Sequence, residues 1–480
     1  MKCPSERMLP ATLSILIPLY NEEEFVGELL SRVAAAPLPG GLDREIIIVN
    51  DCSKDGSVEV VEDFIAARPG LRVRLIHHQK NSGKGAAIRT AIAAATGEFS
   101  IIQDADLEYD PAEYPKLVGP LLDGRADVVY GSRFLVAGER RVLYYWHSLA
   151  NHLLTTLCNI AADLNLTDME TCYKAFRTSL AKSIPIQNDR FGIEPELTIK
   201  FARRKARIFE TPISYNGRTY EEGKKIGLKD AFEALWVIVK ARFTRNLHSD
   251  TGHAVLDAMA EAPKFNKWMA DTIAPFAGKR VLEIGAGSGN MTRQLCPRRK
   301  LYVATDLDVE HVEQLKAAFR HRPRLQVHKL DATDPADFRH FAGQLDTVVC
   351  LNVLEHIEDD KGTVERILTL LEPGGRLILL VPNGPDAYGS IDKAIGHFRR
   401  YTQPGLKALL ESAGYEFEQM LEFNRVSRPG WIFTGQILKA TTLSPLSMRI
   451  FNKFVWLWRK IDQSLPWEPT SIIAIARRPL

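Results

Sequence analysis

Two carboxylates one residue apart follow a short apolar run in "FSIIQDADLE". Asp104 and Asp106 come directly after this run, and Glu108 follows them. Ligands bind where the strands of an open α/β sheet end. Carboxylates in one turn can bind a hard divalent cation, which would neutralise a diphosphate leaving group. We therefore consider Asp104, Asp106 and Glu108 as metal ligands, although a lone acidic surface turn would have the same spacing.

Three earlier segments also place polar residues directly after an apolar run or beside glycines. They supply Pro18, Tyr20, Asn21 and Glu22 in "IPLYNEEE", Asp51 and Ser53 in "VNDCSKDGS", and Lys84 in "NSGKGAA". A lysine between two glycines can bring backbone amides and an ammonium group to a phosphate. Taken singly, each segment also fits ordinary turn chemistry.

Together, in this order, the four segments resemble the family 2 glycosyltransferases with the GT-A fold, over about residues 12–245. Within that family they are most similar to the dolichyl- and polyprenyl-phosphate sugar transferases. The resemblance implies that a set of side chains binds the nucleotide-sugar donor: Pro18, Tyr20 and Glu22 at the base and ribose, Asp51 at the base, and Lys84 near the donor. It also implies that Asp104, Asp106 and Glu108 hold Mg²⁺ or Mn²⁺. Asn50 and Glu108 depart from the family pattern, so a UDP- and a GDP-linked donor both stay open.

Basic residues in two later segments are similar to those that bind the acceptor phosphate in the lipid-phosphate transferases. They are Arg133 in "YGSRF" and Arg218, Lys224 and Lys225 in "SYNGRTYEEGKKIG". Arginine suits this role because its planar fork binds two phosphate oxygens. The alternative is a solvated basic loop.

Three acidic residues lie in segments that line the active site in this family: Asp168, Glu170 and Glu196. The implied reaction is inverting transfer of one sugar. A phosphate acceptor is already anionic and needs no general base, whereas a hydroxyl acceptor would need one of these carboxylates.

A second glycine-rich turn stands in "VLEIGAGSGN", between an apolar run and a helical stretch. Glycines allow a tight turn and a close approach of the backbone to a ligand. A dinucleotide site would have glycine where Asn290 stands, which argues against NAD. Asp306 follows about 20 residues on, at a spacing suited to ribose hydroxyls.

This series resembles the class I S-adenosylmethionine (SAM) methyltransferases, over about residues 255–400. The resemblance implies a set of SAM-binding residues: Glu283, Gly285, Gly287, Asp306 and Asp331, with Asn352, Glu355 and His356 at the methionine end. His356 is either a general base for methylation or a packing residue. "GHFRRYT" either presents basic residues to an anionic substrate or caps a helix.

Strands alternate with helices twice along the chain, which predicts two α/β domains, a GT-A domain over 1–248 and a Rossmann-like methyltransferase domain over 249–480. Apolar runs at 12–18 and 45–50 and in "KRVLEIGAG" and "LDTVVCLNV" predict strands, and "SIIAIARRP" predicts a final strand in the second sheet. Residues 448–466 form a basic amphipathic stretch that would suit a membrane interface, but core packing is the commoner explanation and the final strand that follows favours it. The expected apolar face contains Ile450, Phe454, Leu457, Trp458, Ile461 and Leu465.

The net charge of +3 is too small to indicate nucleic-acid binding, and the six scattered cysteines predict neither a zinc site nor a disulfide framework. The first residues contain no apolar run of signal-peptide length, so we expect a cytoplasmic protein, with peripheral contact at the inner face of the cell membrane left open. The expected function is sugar transfer to a polyprenyl phosphate together with SAM-dependent methylation, plausibly of the same glycan or glycolipid. The alternative is transfer to a hydroxyl of a growing glycan, with the methyltransferase half as a capping or docking module.

Overall fold

The computed structural model describes residues 11–135, 141–142, 144–217, 228–244 and 251–480. The chain divides into two compact units, Met1–Ser249 and Asp250–Leu480. Each unit contains one seven-stranded sheet in its described part. The two predicted α/β sheets are therefore confirmed.

The first sheet contains strands β1 (Thr12–Leu19), β2 (Asp43–Asn50), β3 (Val73–His77), β4 (Phe99–Ile102), β5 (Val128–Ser132), β6 (Lys174–Arg177) and β7 (Ile208–Pro212). Their order across the sheet is β3-β2-β1-β4-β6-β5-β7. All neighbours are parallel except β6, which runs antiparallel to β4 and β5. Sequence reasoning missed β6 because its sequence, "KAFR", has only two apolar residues between two basic ones and therefore shows no apolar run.

The helices of the first unit are α1 (Glu23–Ala35), α2 (Ser57–Ala66), α3 (Lys84–Ala94), α4 (Tyr114–Leu122), α5 (Tyr145–Ala162), α6 (Thr178–Lys182), α7 (Ile193–Arg203) and α8 (Leu228–Phe243). Helix α1 shows why they pack on the sheet: Val26, Leu29, Leu30 and Val33 lie on one face at helical spacing and are all buried. The strands beneath are apolar on both faces, as expected for a parallel sheet covered by helices.

The second sheet contains β8 (Arg280–Ile284), β9 (Leu301–Asp306), β10 (Leu325–Lys329), β11 (Leu345–Leu351), β12 (Leu371–Pro382), β13 (Glu416–Phe423) and β14 (Ser471–Arg477). Their order is β10-β9-β8-β11-β12-β14-β13, and β14 runs antiparallel between β12 and β13. The prediction of a final strand in this sheet is confirmed.

The helices of the second unit are α9 (Thr251–Ala260), α10 (Pro263–Ile273), α11 (Asn290–Leu295), α12 (Val309–Phe319), α13 (Pro335–Phe338), α14 (Asp360–Leu370), α15 (Ser390–Ala394), α16 (Gln403–Ser412), α17 (Arg428–Ile432), α18 (Pro445–Lys453) and α19 (Val455–Ile461). Phe451, Val455 and Trp458 of the last two helices pack against the core, while Ile450 and Phe454 are exposed. The packed face is thus shifted from the one expected from the sequence. No helix in the described ranges combines the length and apolar content that a membrane crossing requires.

Candidate active sites of the two domains

The first candidate site lies where the strand order of the first sheet reverses, between β1 and β4. Ligands bind in the crevice outside the carboxyl ends of strands at such a point. Pro18 lies near the end of β1, Tyr20 and Glu22 follow that strand, and Asp104 follows β4. The structure therefore brings these sequence-predicted residues to one edge of the sheet.

Asp51 has a different set of contacts from the expected one. Its buried carboxylate accepts hydrogen bonds from the backbone N–H groups of Ser82 (2.9 Å) and Gly83 (2.6 Å). Its Oδ1 also lies 2.8 Å from Nδ1 of His78. Asp51 thus holds the turn that begins α3, and both of its oxygens are engaged within the domain. Binding of the donor base by Asp51 stays a prediction, beside this structural role.

Lys84 is the first residue of α3, and its ammonium group lies beside Asp104, which follows β4. Its Nζ lies 2.8 Å from Oδ1 of Asp104 and 3.5 Å from Oε1 of Glu194. Burial alone would lower the pKa of Lys84, but Asp104 and Glu194 outweigh it and raise that pKa well above its usual value. The site therefore holds a permanently charged ammonium beside the predicted metal ligands.

The three predicted metal ligands are not gathered into one compact group. The backbone N–H of Glu108 donates to Oδ1 of Asp106 (3.2 Å), and Oε2 of Glu108 accepts a hydrogen bond from the Tyr215 hydroxyl (2.7 Å). Among the described residues, three potential ligand atoms lie within 4.8 Å of one another at Glu355, His356 and His397 instead. Metal binding by Asp104 and Asp106 stays a prediction.

Arg133 is held by Asp168 through two parallel hydrogen bonds, Nε to Oδ2 and Nη2 to Oδ1, both 2.7 Å. Asp168 is fully buried and is committed to this pair, so it positions Arg133 and is not a free base. Arg133 lines a cavity of about 190 Å³ together with Arg141, His147 and Asn151. Arg218, Lys224 and Lys225 lie outside the described residues.

Glu194 of α7, and not the predicted Glu196, faces the first site. Glu196 accepts hydrogen bonds from the backbone of Gln187 (3.0 Å) and Asn188 (2.8 Å) and pairs with Lys200, so it stabilises a loop. Glu194, which sequence reasoning missed, faces Lys84 and pairs with buried Lys174. The pattern "EPE" contains both glutamates, but residues two positions apart on a helix point to different sides, so only one of them faces the site.

Glu170 is half-buried, and its buried Oε1 atom has no hydrogen-bond partner. Desolvation, with a smaller contribution from the nearby charge of Glu194, raises the pKa of Glu170 to about 7. A carboxyl group with this pKa can take up a proton at neutral pH, which is the property of a general base.

The second candidate site lies between β8 and β11, where the strand order of the second sheet reverses. Gly285 (φ 72°) and Gly287 (φ 52°) adopt left-handed conformations that favour glycine. A Cβ at Gly285 would lie 2.2 Å from Cγ2 of Val353, so no larger residue fits. The N–H of Gly287 donates to Oδ2 of Asp306 (2.7 Å), which joins the glycine turn to the end of β9.

Glu283 and Asp331 both accept hydrogen bonds from side chains or backbone of their own domain. Glu283 is buried and accepts from the hydroxyls of Thr292 (2.5 Å) and Tyr302 (2.9 Å), and desolvation raises its pKa to about 7. Asp331 follows β10, and its Oδ1 accepts from the backbone N–H (2.8 Å) and hydroxyl (2.6 Å) of Thr333. Glu283 therefore lies beneath the glycine turn, inside the domain.

Asn352 directly follows β11, is exposed and has a left-handed backbone (φ 53°). Glu355 is fully buried with neither carboxylate oxygen hydrogen-bonded, and burial raises its pKa to about 8. Desolvation and the neighbouring His397 lower the pKa of His356 to about 4. This part of the site thus combines one carboxylate and two imidazoles.

The basic string "GHFRRYT" is neutralised within its own domain. Arg399 lies 2.7 Å from Asp360, and Arg400 donates from Nε to Asp392 at 2.8 Å. The hydroxyl of Tyr401 also donates to Asp360 (3.0 Å). The structure therefore pairs these basic side chains with carboxylates of their own domain, whereas the sequence had suggested contact with an anionic substrate.

Residues 14–184 match the model of glycosyl transferase family 2. The undecaprenyl-phosphate 4-deoxy-4-formamido-L-arabinose transferase of Edwardsiella ictaluri is 31% identical over 237 residues, which are 49% of this chain and 70% of that protein. The chain belongs to glycosyl transferase family 2. The dodecaprenyl-phosphate galacturonate synthase of Rhizobium johnstonii is 26% identical over 242 residues, covering 50% of this chain and 69% of that protein.

Residues 282–377 match the model of a methyltransferase domain. The solved structure of an S-adenosylmethionine dependent methyltransferase from Mesorhizobium loti is 15% identical and has a TM-score of 0.32, covering 44% of this chain and 98% of that chain. The two family models thus match a glycosyltransferase domain and a methyltransferase domain, in the predicted order along the chain.

Proposed function

We propose that the first domain transfers a sugar from a UDP- or GDP-linked donor to a polyprenyl phosphate, with inversion at the anomeric carbon. The second domain transfers a methyl group from SAM to the same glycan or its lipid carrier. The support for a shared substrate is that both enzymatic domains are joined in one chain.

The observation that carries the lipid acceptor is a cationic cavity beside an exposed apolar surface. The cavity contains Arg133, Arg141 and His147, which together suit a phosphate group. Helix α5 begins at this cavity and packs beside α8. Large apolar side chains of both helices are exposed: Tyr145, Trp146 (75%), Leu149 and Leu153 on α5, and Trp236 (67%) and Phe243 on α8.

An exposed aromatic surface of this kind is typical of a membrane interface, where indole rings lie at the headgroup level. A phosphate in the cavity would have its hydrocarbon chain beside that surface. The proposed peripheral membrane contact therefore falls on α5 and α8 and not on the C-terminal helices, which pack in part against the core.

The donor would bind at the edge formed by β1, β4 and α3. Mg²⁺ is commonly held by one or two carboxylates together with substrate phosphates, and Asp104 and Asp106 fit this requirement. The ammonium of Lys84 beside Asp104 shows that positive charge is stable at this edge. A bound cation would neutralise charge on the departing diphosphate, while Lys84 would bind a phosphate oxygen and Arg133 would orient the acceptor.

The residues of the second site fit SAM. The exposed Gly285 leaves the backbone open to a ligand, and the buried hydroxyl of Ser288 in the same turn has no hydrogen-bond partner. We assign the ribose to Asp306, and exposed Leu307 beside it would offer an apolar surface to the adenine ring. SAM supplies the methyl group when bound, and Asn352 lies where the methionine end would reach.

The test is a transfer assay with radiolabelled sugar nucleotides, Mg²⁺ or Mn²⁺ and a polyprenyl phosphate, followed by organic extraction. We expect label in the organic phase, lost on Asp106→Ala. Trp146→Glu should reduce transfer to lipid in vesicles, while the matched variant Trp456→Glu, at an exposed residue of α19, should not. Donor binding without any label in the organic phase would overturn the lipid acceptor.

A hydroxyl acceptor is the second candidate, and Glu170 is the observation that favours it. Its unpartnered oxygen and pKa of about 7 fit a general base, which a phosphate acceptor does not need. Glu170→Gln separates the two candidates, because it should abolish transfer to a hydroxyl and leave transfer to a phosphate largely intact.

A further inference from the structure

Glu355, His356 and His397 form a cluster at the carboxyl end of β11. Each offers one ligand atom, and these atoms all lie within 4.8 Å of one another. Nε2 of His397 lies 3.8 Å from Oε1 of Glu355. The contact between Gly285 and Val353 places the cluster directly beside the glycine turn of the second site.

The histidines are oriented by partners behind them. Nδ1 of His397 lies 2.9 Å from Oδ1 of Asp392, which is itself held by Arg400 and by the backbone N–H of Gly389. An Nδ1–H donated to Asp392 leaves the lone pair of Nε2 directed at Glu355. His356 likewise has a hydrogen bond to the backbone of Ile395. Metal-binding histidines usually donate their second N–H to a carboxylate or a backbone carbonyl in this way.

Glu355 lies 3.8 Å from His397 and is influenced by the charge of Arg400, but neither group hydrogen-bonds to its carboxylate. Both carboxylate oxygens lack a hydrogen bond although the residue is 0% exposed. Buried carboxylates are normally paired or bound to a metal. A shared proton would join Glu355 to His397 alone, whereas a cation would use all three side chains.

We propose that Glu355, His356 and His397 bind a divalent transition-metal cation beside the methyl-transfer site. One carboxylate and two imidazoles suit Zn²⁺, Co²⁺ or Fe²⁺ better than Mg²⁺. Tetrahedral Zn²⁺ bonds place ligand atoms roughly 3.3 Å apart, so the side chains need to close by about 1.5 Å at most. Three protein ligands leave a coordination position for an oxygen of the methyl acceptor. This role in substrate binding rests on the proposed methyltransferase function.

The experiment titrates Co²⁺ into the untagged, EDTA-treated full chain and follows its visible absorption. The protein carries Asp104→Asn and Asp106→Asn, which removes the candidate cation site of the first domain. We expect one equivalent to bind with visible bands typical of nitrogen ligation. His356→Ala, at an exposed residue, should weaken binding at least tenfold, and so should Glu355→Gln. The control His340→Ala, at an exposed histidine outside the cluster, should change nothing.

Absence of binding in this protein, or binding that both His356→Ala and Glu355→Gln leave unchanged, would overturn the proposal. Calorimetry with S-adenosylhomocysteine on the same protein distinguishes failure of the cation site from failure of the proposed methyltransferase function. Co²⁺ binding without S-adenosylhomocysteine binding would refute the SAM site and retain the cation site. The reverse result would refute the cation site alone.

Discussion

Replacing Asp51 by asparagine tests whether this residue holds the turn before α3 or binds the donor. The carboxylate accepts hydrogen bonds at Oδ1 from Ser82 and at Oδ2 from Gly83, with His78 also at Oδ1. Asparagine keeps one acceptor oxygen and places an NH₂ group opposite a backbone N–H. In either side-chain orientation, at least one half-buried donor therefore loses its acceptor.

The expected cost follows from these contacts. Leaving a buried donor unsatisfied costs about 1–3 kcal/mol, and hydrogen bonds to a charged group contribute about 1.5–3 kcal/mol each. Asp51→Asn should thus lower the free energy of opening the turn by about 2–4 kcal/mol. Because about 1.4 kcal/mol corresponds to a factor of ten, the amides of Ser82 and Gly83 should exchange with solvent roughly 30- to 1,000-fold faster.

Hydrogen–deuterium exchange with mass spectrometry, on peptides that span residues 79–88, measures this directly. Asp43→Asn, at an exposed aspartate of the same domain, is the control and should leave exchange unchanged. The affinity for UDP and GDP is measured in parallel. Unchanged exchange together with weakened nucleotide binding would refute the structural role and restore the role expected from the sequence.

Three further predictions concern charge and backbone conformation. Lys84→Met should destabilise the first domain by roughly 3 kcal/mol in urea unfolding, because Asp104 loses its partner while Glu194 keeps only Lys174, and adding Asp104→Asn should recover part of the loss. Glu283 has a pKa of about 7 in the folded domain against an ordinary value of 4.5, so its contribution to stability falls as pH rises from 4.5 to 7. Glu283→Gln should therefore be more stable than the wild type at pH 8, by up to roughly 3 kcal/mol, but not at pH 4.5, and an equal difference at both pH values would contradict this. Gly285→Ala should weaken S-adenosylhomocysteine binding at least tenfold in calorimetry, whereas Gly343→Ala, with a similar φ of 65° and no atom within 4 Å of the added Cβ, should not.

Much of the fold was predictable because the signals are local. Apolar runs identify β1, β2, β8 and β11, and helical spacing identifies α1. Strand β6 was not predictable in this way, since its pairing with β4 and β5 depends on residues more than 40 positions away.

The candidate sites, like the fold, were predictable where the signal is local and unpredictable where it depends on distant residues. The motifs located both sites at the ends of strands, because polar residues after an apolar run must lie at the edge of a sheet. They also indicated both enzyme families, which the comparisons confirm. The partners of single side chains were not encoded locally.

Two cases give the physical reason. The phase of α7 directs Glu194 to Lys84 and Glu196 to the loop at Asn188, which a short motif does not reveal. His397 meets Glu355 across 42 positions of sequence because the chain returns from β12 to the end of β11. Residue types and spacing thus determined which chemistry was available at each strand end, and tertiary packing alone decided which side chains bind one another and which remain directed at a ligand.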